Sequence, residues 1–176
     1  MLKEKVVTLR PVEEEDLPVL YEYILDIENR GEFYPRHIQT LTELRKEFHE
    51  HGFWKDDFGL FVLVDNDSQK IIGTIFWFKI KSYLTELELG YIMYDSTSRS
   101  RGGTTEAVKL FTRYLFDTMQ INRIRLCIAT ENRPSRRVAE KSGYKHEGTQ
   151  RGAWWNLGRF YDMELYAVTR DDLSPA

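Results

Sequence analysis

Apolar residues recur along this chain with two periods, and the change from one to the other divides it into elements. Residues 6–10 alternate and stop at Pro11, which predicts a short strand. Leu17, Leu20, Tyr21, Ile24 and Leu25 then follow at helical spacing. Glu13 to Asp16 sit in or just before the first turn of that helix, where its dipole favours carboxylates. Gly31 and Pro35 break the pattern. Thr40-Leu-Thr-Glu43 has the form of a capping box and opens a second helix carrying Leu44 and Phe48. Residues 58–64 and 71–80 flank the turn chemistry of Asp65-Asn66-Asp67-Ser68 as a hairpin, and 84–94 makes the next strand. Ala107, Leu110, Phe111, Tyr114, Leu115 and Met119 give one apolar face to a helix beginning near Thr104. Residues 123–130 alternate again. Asn132-Arg133-Pro134-Ser135 opens a helix that ends at Gly143. Residues 144–149 and 157–168 are two closing strands, joined by a long loop holding Gly152, Trp154 and Trp155. The order predicts a mixed α/β sheet with helices on both faces.

Composition narrows this picture. A length of 176 residues with 41% hydrophobic and 14% aromatic content supports a full core, and a single domain over 1–176 is expected. No run nears the roughly 18 apolar residues of a membrane span, and residues 1–17 lack a signal-peptide pattern. Cys127, the lone cysteine, excludes an intramolecular disulfide and reads as a packed thiol in a reducing, cytoplasmic protein. His49 and His51 lack partners at metal-ligand spacing, so no metal is expected. The net charge of −3 is unevenly spread: residues 99–145 hold eleven Lys or Arg against four acids, a surplus of +7 that leaves −10 elsewhere. Such a division suits an anionic cofactor and a cationic substrate. The basic segment has no interleaved aromatics, so direct nucleic-acid binding is not expected.

Gly90 to Ala107 carries the candidate chemistry. A strand ending in Tyr91, Ile92, Met93 and Tyr94 leads through small polar residues to Arg99-Ser100-Arg101-Gly102-Gly103 and a helix start. Unpaired N–H groups and the dipole at a helix start bind anions, and glycine lets the backbone come close. The loop lacks the lysine of a P-loop, having Thr104-Thr105, and its adjacent glycines do not match the dinucleotide fingerprint.

The stretch resembles the coenzyme-A loop of the GCN5-related N-acetyltransferases (GNAT), reading Arg99-x-x-Gly102-x-Thr104, with Thr104 where that family carries Gly or Ala. Further matches are Thr8-Leu9-Arg10-Pro11, Glu88-Leu89-Gly90-Tyr91, Arg101-Gly-x-x-Thr105-Glu106-Ala107, Asn132-x-x-Ser135, Glu140-Lys141-Ser142-Gly143-Tyr144 and Tyr161-x-Met-x-Leu-Tyr166. Taken in order, these are similar to the RimJ/RimL-like branch, which modifies ribosomal-protein N-termini. The resemblance implies a GNAT acyl-CoA N-acyltransferase fold, a mostly antiparallel sheet of about seven strands flanked by helices. It implies acetyl-CoA as co-substrate and direct transfer to a primary amine, whether a protein N-terminus, an amino acid, a polyamine or an amine-bearing antibiotic. A homodimer is compatible with it. The alternative is a non-catalytic acyl-CoA-binding module of the same fold.

Carried over by position, Ile92, Met93 and Tyr94 would offer backbone groups to the pantetheine arm, one N–H stabilising the oxyanion. Arg99, Ser100, Arg101, Gly102, Gly103 and Thr104 would hold the pyrophosphate. Asn132 would bind the arm, and Arg137, with Arg133 and Arg136 as further candidates, the 3′-phosphate. Glu88, eleven residues before Arg99, would be the general base with Glu86 in reserve, and Ser135 would supply a proton to the departing thiolate. A base is useful because an α-amine of pKa near 7.7 is only roughly 15% neutral at pH 7, and a lysine far less so. Tyr34, Trp54, Trp77, Trp154 and Trp155, with Glu32, Asp56 and Asp57, are the candidates for an aromatic, acidic acceptor cleft.

Overall fold

The structure is a computed structural model that describes residues 1–28, 31–81, 83–94 and 102–173. Its strands are β1 (Leu2–Lys3), β2 (Val7–Pro11), β3 (Phe58–Asp65), β4 (Ile71–Lys79), β5 (Glu86–Met93), β6 (Arg123–Ala129), β7 (Lys145–Asn156) and β8 (Arg159–Thr169). The main helices are α1 (Leu17–Leu25), α2 (Leu41–His51), α3 (Gly103–Thr118) and α4 (Arg133–Lys141). The strands form one sheet in the order β1-β2-β3-β4-β5-β6-β8-β7. All neighbours are antiparallel except β5 and β6. This is the mixed, mostly antiparallel fold expected, with eight strands in place of about seven. The extra one is β1, a two-residue addition pairing Leu2 with Leu9.

Alternation along the strands sorts side chains onto two faces. On one, Leu87, Leu89, Ile124 and Leu126 meet Phe111 and Leu115 of α3 in the larger core. On the other, Val62 and Val64 meet Leu17, Leu20 and Leu44 of α1 and α2. Each buried Leu or Phe contributes roughly 1.5–3 kcal/mol, so these two layers, rather than helix propensity, hold α1 to α4 in place. The helix starts are fixed locally. Thr40 and Glu43 form the expected capping box, with Glu43 N–H donating to Thr40 Oγ1 at 3.2 Å and Thr40 N–H to Glu43 Oε2 at 2.9 Å.

The long loop expected around Gly152 is instead strand. β7 and β8 form a hairpin closed by Leu157 and Gly158, at φ 51° and 76°, with Asn156 opposite Arg159. A two-residue turn with both φ positive matches the twist of paired strands. Gly148 and Gly152 also have positive φ, and the register shifts beside them, so they act as bulges that interrupt alternation without ending the strand. Cys127 departs from expectation too. It lies on β6 but is only half-buried, its Sγ 3.6 Å from Gln150 Oε1, and burial pushes its thiol above the usual range. No described helix is long and apolar enough to cross a membrane.

Candidate active site

β5 keeps regular register with β4 from Leu87 to Met93 but pairs with β6 over only three rungs, Glu86–Arg123, Leu87–Ile124 and Glu88–Arg125. Beyond Arg125, β6 continues with β8 to Ala129 and leaves β5. The gap therefore opens because β6 departs, with no bulge in β5. Tyr94 N–H donates to Ile72 O at 2.9 Å. The same alternation turns the main-chain groups of Ile92 toward β4 and those of Tyr91 and Met93 toward the gap. Of the three backbones expected to serve a ligand, Met93 faces it, and Tyr91, not Ile92 or Tyr94, is its companion.

A cleft of about 680 Å³ occupies this side of β5. Gly102 caps α3 at φ 87°, a conformation open to glycine, and Thr104 and Thr105 line the cleft beside it. The first amides of α3 lack intrahelical acceptors, which leaves partial positive charge at this wall. Gly103 has another task than the one expected. A Cβ there would lie 2.9 Å from Val7 Cγ1, so its bareness lets α3 approach the sheet rather than a ligand. Thr104, the departure from the family pattern, does border the cleft. Arg99, Ser100 and Arg101 lie outside the described residues.

The opposite wall is one face of α4: Pro134, Arg137, Val138 and Lys141 recur at helical spacing, with Ser135 beside them. Arg137 thus borders the cleft, whereas Arg136 turns away to Tyr166 Oη and Thr130 O, both at 3.3 Å. Arg133 is exposed and does not border the cleft. Lys141 was missed in the sequence, although its position four residues after Arg137 carried the signal.

Ser135 is held from two directions. Its N–H donates to Asn132 Oδ1 at 3.2 Å, so Asn132 caps α4, and its hydroxyl lies 2.7 Å from the Tyr91 hydroxyl. Burial, partly offset by the hydrogen bond with Ser135, pushes the Tyr91 phenol up to about 12, so it stays protonated at neutral pH. Tyr91 is a site residue that sequence reasoning passed over. The hint was an aromatic hydroxyl on the strand face that looks toward α4.

Glu88 sits at the last β5–β6 rung, on the face opposite Tyr91. Arg125 Nε and Nη2 both reach its Oε2, at 2.9 and 2.8 Å. Burial raises its pKa above the ordinary carboxylate range, and Arg125 opposes that rise. Glu86 is bound by Arg123 Nε at 2.9 Å, so each polar rung of the parallel ladder is also an ion pair.

A second cavity, about 270 Å³, lies on the Glu88 face of the sheet under α1 and α2. The aromatic, acidic cleft foreseen in the sequence does not assemble. Trp77 is 1% exposed in the core, and Trp54 packs on Trp77, Phe61 and Tyr114. Trp154 stacks near Tyr161, and Trp155 pairs with Phe160 on the hairpin. Glu32 borders the large cleft but accepts from Arg159 Nη2 at 3.0 Å and Tyr161 Oη at 3.3 Å. Asp56 and Asp57 border neither cavity, and Tyr34 alone of the foreseen aromatics borders both.

A family model described as an acetyltransferase (GNAT) domain matches residues 7–145. The chain is similar to the probable N-acetyltransferase YjcK of Bacillus subtilis (strain 168), with 30% identity over 182 residues and 98% of each chain covered. Its fold is similar to that of a spermidine N-acetyltransferase from Vibrio cholerae in complex with CoA and spermine, at a TM-score of 0.80 and 20% identity over 94% of this chain and 96% of that one. It is similar as well to RimL, a ribosomal L7/L12 alpha-N-protein acetyltransferase in complex with coenzyme A, at a TM-score of 0.79 and 17% identity over 96% and 97% of the two chains. At these identities the two structures speak for the fold, and they agree with the RimJ/RimL-like pattern at that level.

Proposed function

Because this chain belongs to the GNAT acetyltransferase family and is an N-acetyltransferase, we propose that it transfers the acetyl group of acetyl-CoA directly to a primary amine in a ternary complex. The observation that carries the reading is the parting of β5 from β6 after three rungs, beside a cleft walled by the α3 N-terminus and the basic face of α4. A long anionic molecule with an amide-bearing arm fits these walls. Thr104, Thr105 and the first amides of α3 would receive the pyrophosphate. Arg137 and Lys141 would receive the 3′-phosphate, and the main chain of Tyr91 and Met93 would meet the arm. When bound, acetyl-CoA supplies an activated acyl group on a thiol leaving group.

The protein's own groups handle charge and protons. Main-chain N–H groups turned into the gap stabilise the developing oxyanion. Ser135, its hydroxyl backed by Tyr91, donates to the departing sulfur, and the α4 N-terminus favours negative charge there. Glu88 takes the amine's proton through water. Its Oε2 is held by Arg125, and its other oxygen has no partner among the described residues. The half-buried Cys127, its thiol pushed up by burial, is poorly suited to a covalent intermediate.

The test is thiol release from acetyl-CoA against a panel of amines, with mass spectrometry for the acetylated product. Tight CoA binding with no amine-dependent thiol release for any acceptor would overturn the assignment.

A further inference from the structure

The two cavities on opposite faces of β5 share Ile92 and Tyr34, so the smaller one opens toward the strand end where the gap begins. Its walls are apolar: Ile24 and Leu44 from the helices, Phe58, Leu60 and Phe76 from the sheet. Gly90 makes part of this surface, because a Cβ there would lie 2.5 Å from the Phe76 ring. The bare backbone lets that ring lie over β5 between Ile92 and Glu88. The polar atoms present are few. Thr74 Oγ1 and Tyr94 Oη lie 3.2 Å apart and occupy one another, and the Tyr94 ring stacks on Tyr23 at 4.0 Å. Gln39 adds an amide. Glu47 is the single charged side chain among the described lining residues; it is exposed and has no ion-pair partner among them.

From this lining we infer that the acceptor is a small primary monoamine with a compact apolar or aromatic body. The inference rests on the acetyltransferase reading and narrows it. A polyamine brings two or more further ammonium groups, and each would leave water for a wall of Phe, Leu and Ile with one carboxylate at its rim. An aryl or alkyl body instead displaces water from that wall. At about 30 Å³ per water-sized group, 270 Å³ accommodates a body of about nine non-hydrogen atoms. Glu47 draws the ammonium form toward the opening, where the proton must be lost before attack. The amine nitrogen then bonds to the thioester carbon, the carbon–sulfur bond breaks, and the proton lost from nitrogen is balanced by the one gained at sulfur. Amide and free thiol are the products.

The experiment compares 2-phenylethylamine, a straight-chain alkylamine series, spermidine and an alanine-ended peptide as acceptors, with thiol release as the readout. A titration of 2-phenylethylamine into CoA-saturated protein gives binding independently of turnover. The expected result is a kcat/KM that climbs about fourfold per methylene until the cavity is full, and exceeds that for spermidine by at least tenfold. Phe76→Ala raises the KM for 2-phenylethylamine about tenfold with the acetyl-CoA KM unchanged, and Phe76→Leu, which keeps most of the volume and guards against misfolding, restores most of the loss. Glu47→Gln raises the KM about threefold. Spermidine or the alanine-ended peptide turning over as well as 2-phenylethylamine would overturn the inference, as would a rate indifferent to chain length. If no amine is acetylated but 2-phenylethylamine binds the CoA complex and Phe76→Ala abolishes that binding, the acetyltransferase reading fails while the apolar-amine site stands. If it neither binds nor reacts, the site fails.

Discussion

The two cavities that meet at Ile92 are made from different materials. The larger is built from main chain, helix ends and long cations: the gap beside Tyr91 and Met93, the start of α3, and Arg137 and Lys141 on α4. The smaller is built from apolar side chains on three strands and two helices. Main-chain groups and helix dipoles recognise any ligand of the right charge and shape, so that side can serve one common carrier. Side-chain walls discriminate by volume and polarity, so the other side is where a relative could change its acceptor without disturbing the carrier. Glu88 belongs to the second face and Ser135 to the first, which places removal and return of protons on opposite sides of one strand.

Mutations on the carrier side test this division most strongly. Ser135→Ala is expected to lower kcat about 10²-fold or more, with the acetyl-CoA KM within about threefold of the parent, and Tyr91→Phe about tenfold through the lost 2.7 Å contact. Steady-state kinetics on the three proteins decide it. An unchanged kcat for Ser135→Ala removes the serine from the chemistry.

On the other face, Glu88→Gln is expected to lower kcat/KM about 10²-fold at neutral pH. The parent's rate rises with pH as Glu88 deprotonates, and burial sets that limb above the ordinary carboxylate range. Arg125→Met, by deleting the cation that opposes the rise, shifts the limb to higher pH. A pH–rate profile of parent and Arg125→Met that superimpose would show that another group titrates.

The third effect is on stability and concerns the wall of the smaller cavity. Asp16, just before α1, accepts from Arg10 Nη1 at 2.6 Å and from Glu13 N–H at 2.8 Å. Burial pushes its carboxyl up, but these bonds outweigh it and hold the pKa below the model value of 3.8. The stabilisation is therefore present above the unfolded pKa and is lost as pH falls through the lower folded value. Asp16→Asn should cost about 2 kcal/mol near pH 7 and much less at pH 2 to 3, measurable by urea unfolding at both.

The smallest effect separates charge from shape on the carrier side. Arg137→Ala combined with Lys141→Ala should raise the acetyl-CoA KM about tenfold at low salt, and less as ionic strength rises. Acetyl-dephospho-CoA, which lacks the 3′-phosphate, should show little difference between the two proteins. An equal loss with both thioesters would place the pair elsewhere on the ligand.

Hydrophobic period and capping chemistry decided most of this fold in advance. The helices at Leu17, Thr40 and Asn132, the hairpin around Asp65 and the glycine at the start of α3 are local events, and local residues suffice to specify them. Motif spacing likewise pointed to Ser135, Asn132 and Gly102. What the chain could not announce by itself depended on partners far away in sequence. Whether β5 has a neighbour beyond Glu88 is decided by where β6 turns to β8. Which of Tyr91, Ile92 and Met93 faces the gap depends on the register with β4, since a shift of one residue reverses every main-chain group. Glu88 was legible as a carboxylate on the strand, but its engagement with Arg125 arises only when residues 37 positions apart become one rung. The bulged β7, which the sequence presents as a loop, is strand because β8 pairs with it across a two-residue turn. Non-local pairing, not residue type, sets hydrogen-bond direction and burial, and that is why the acceptor wall had to await the tertiary structure.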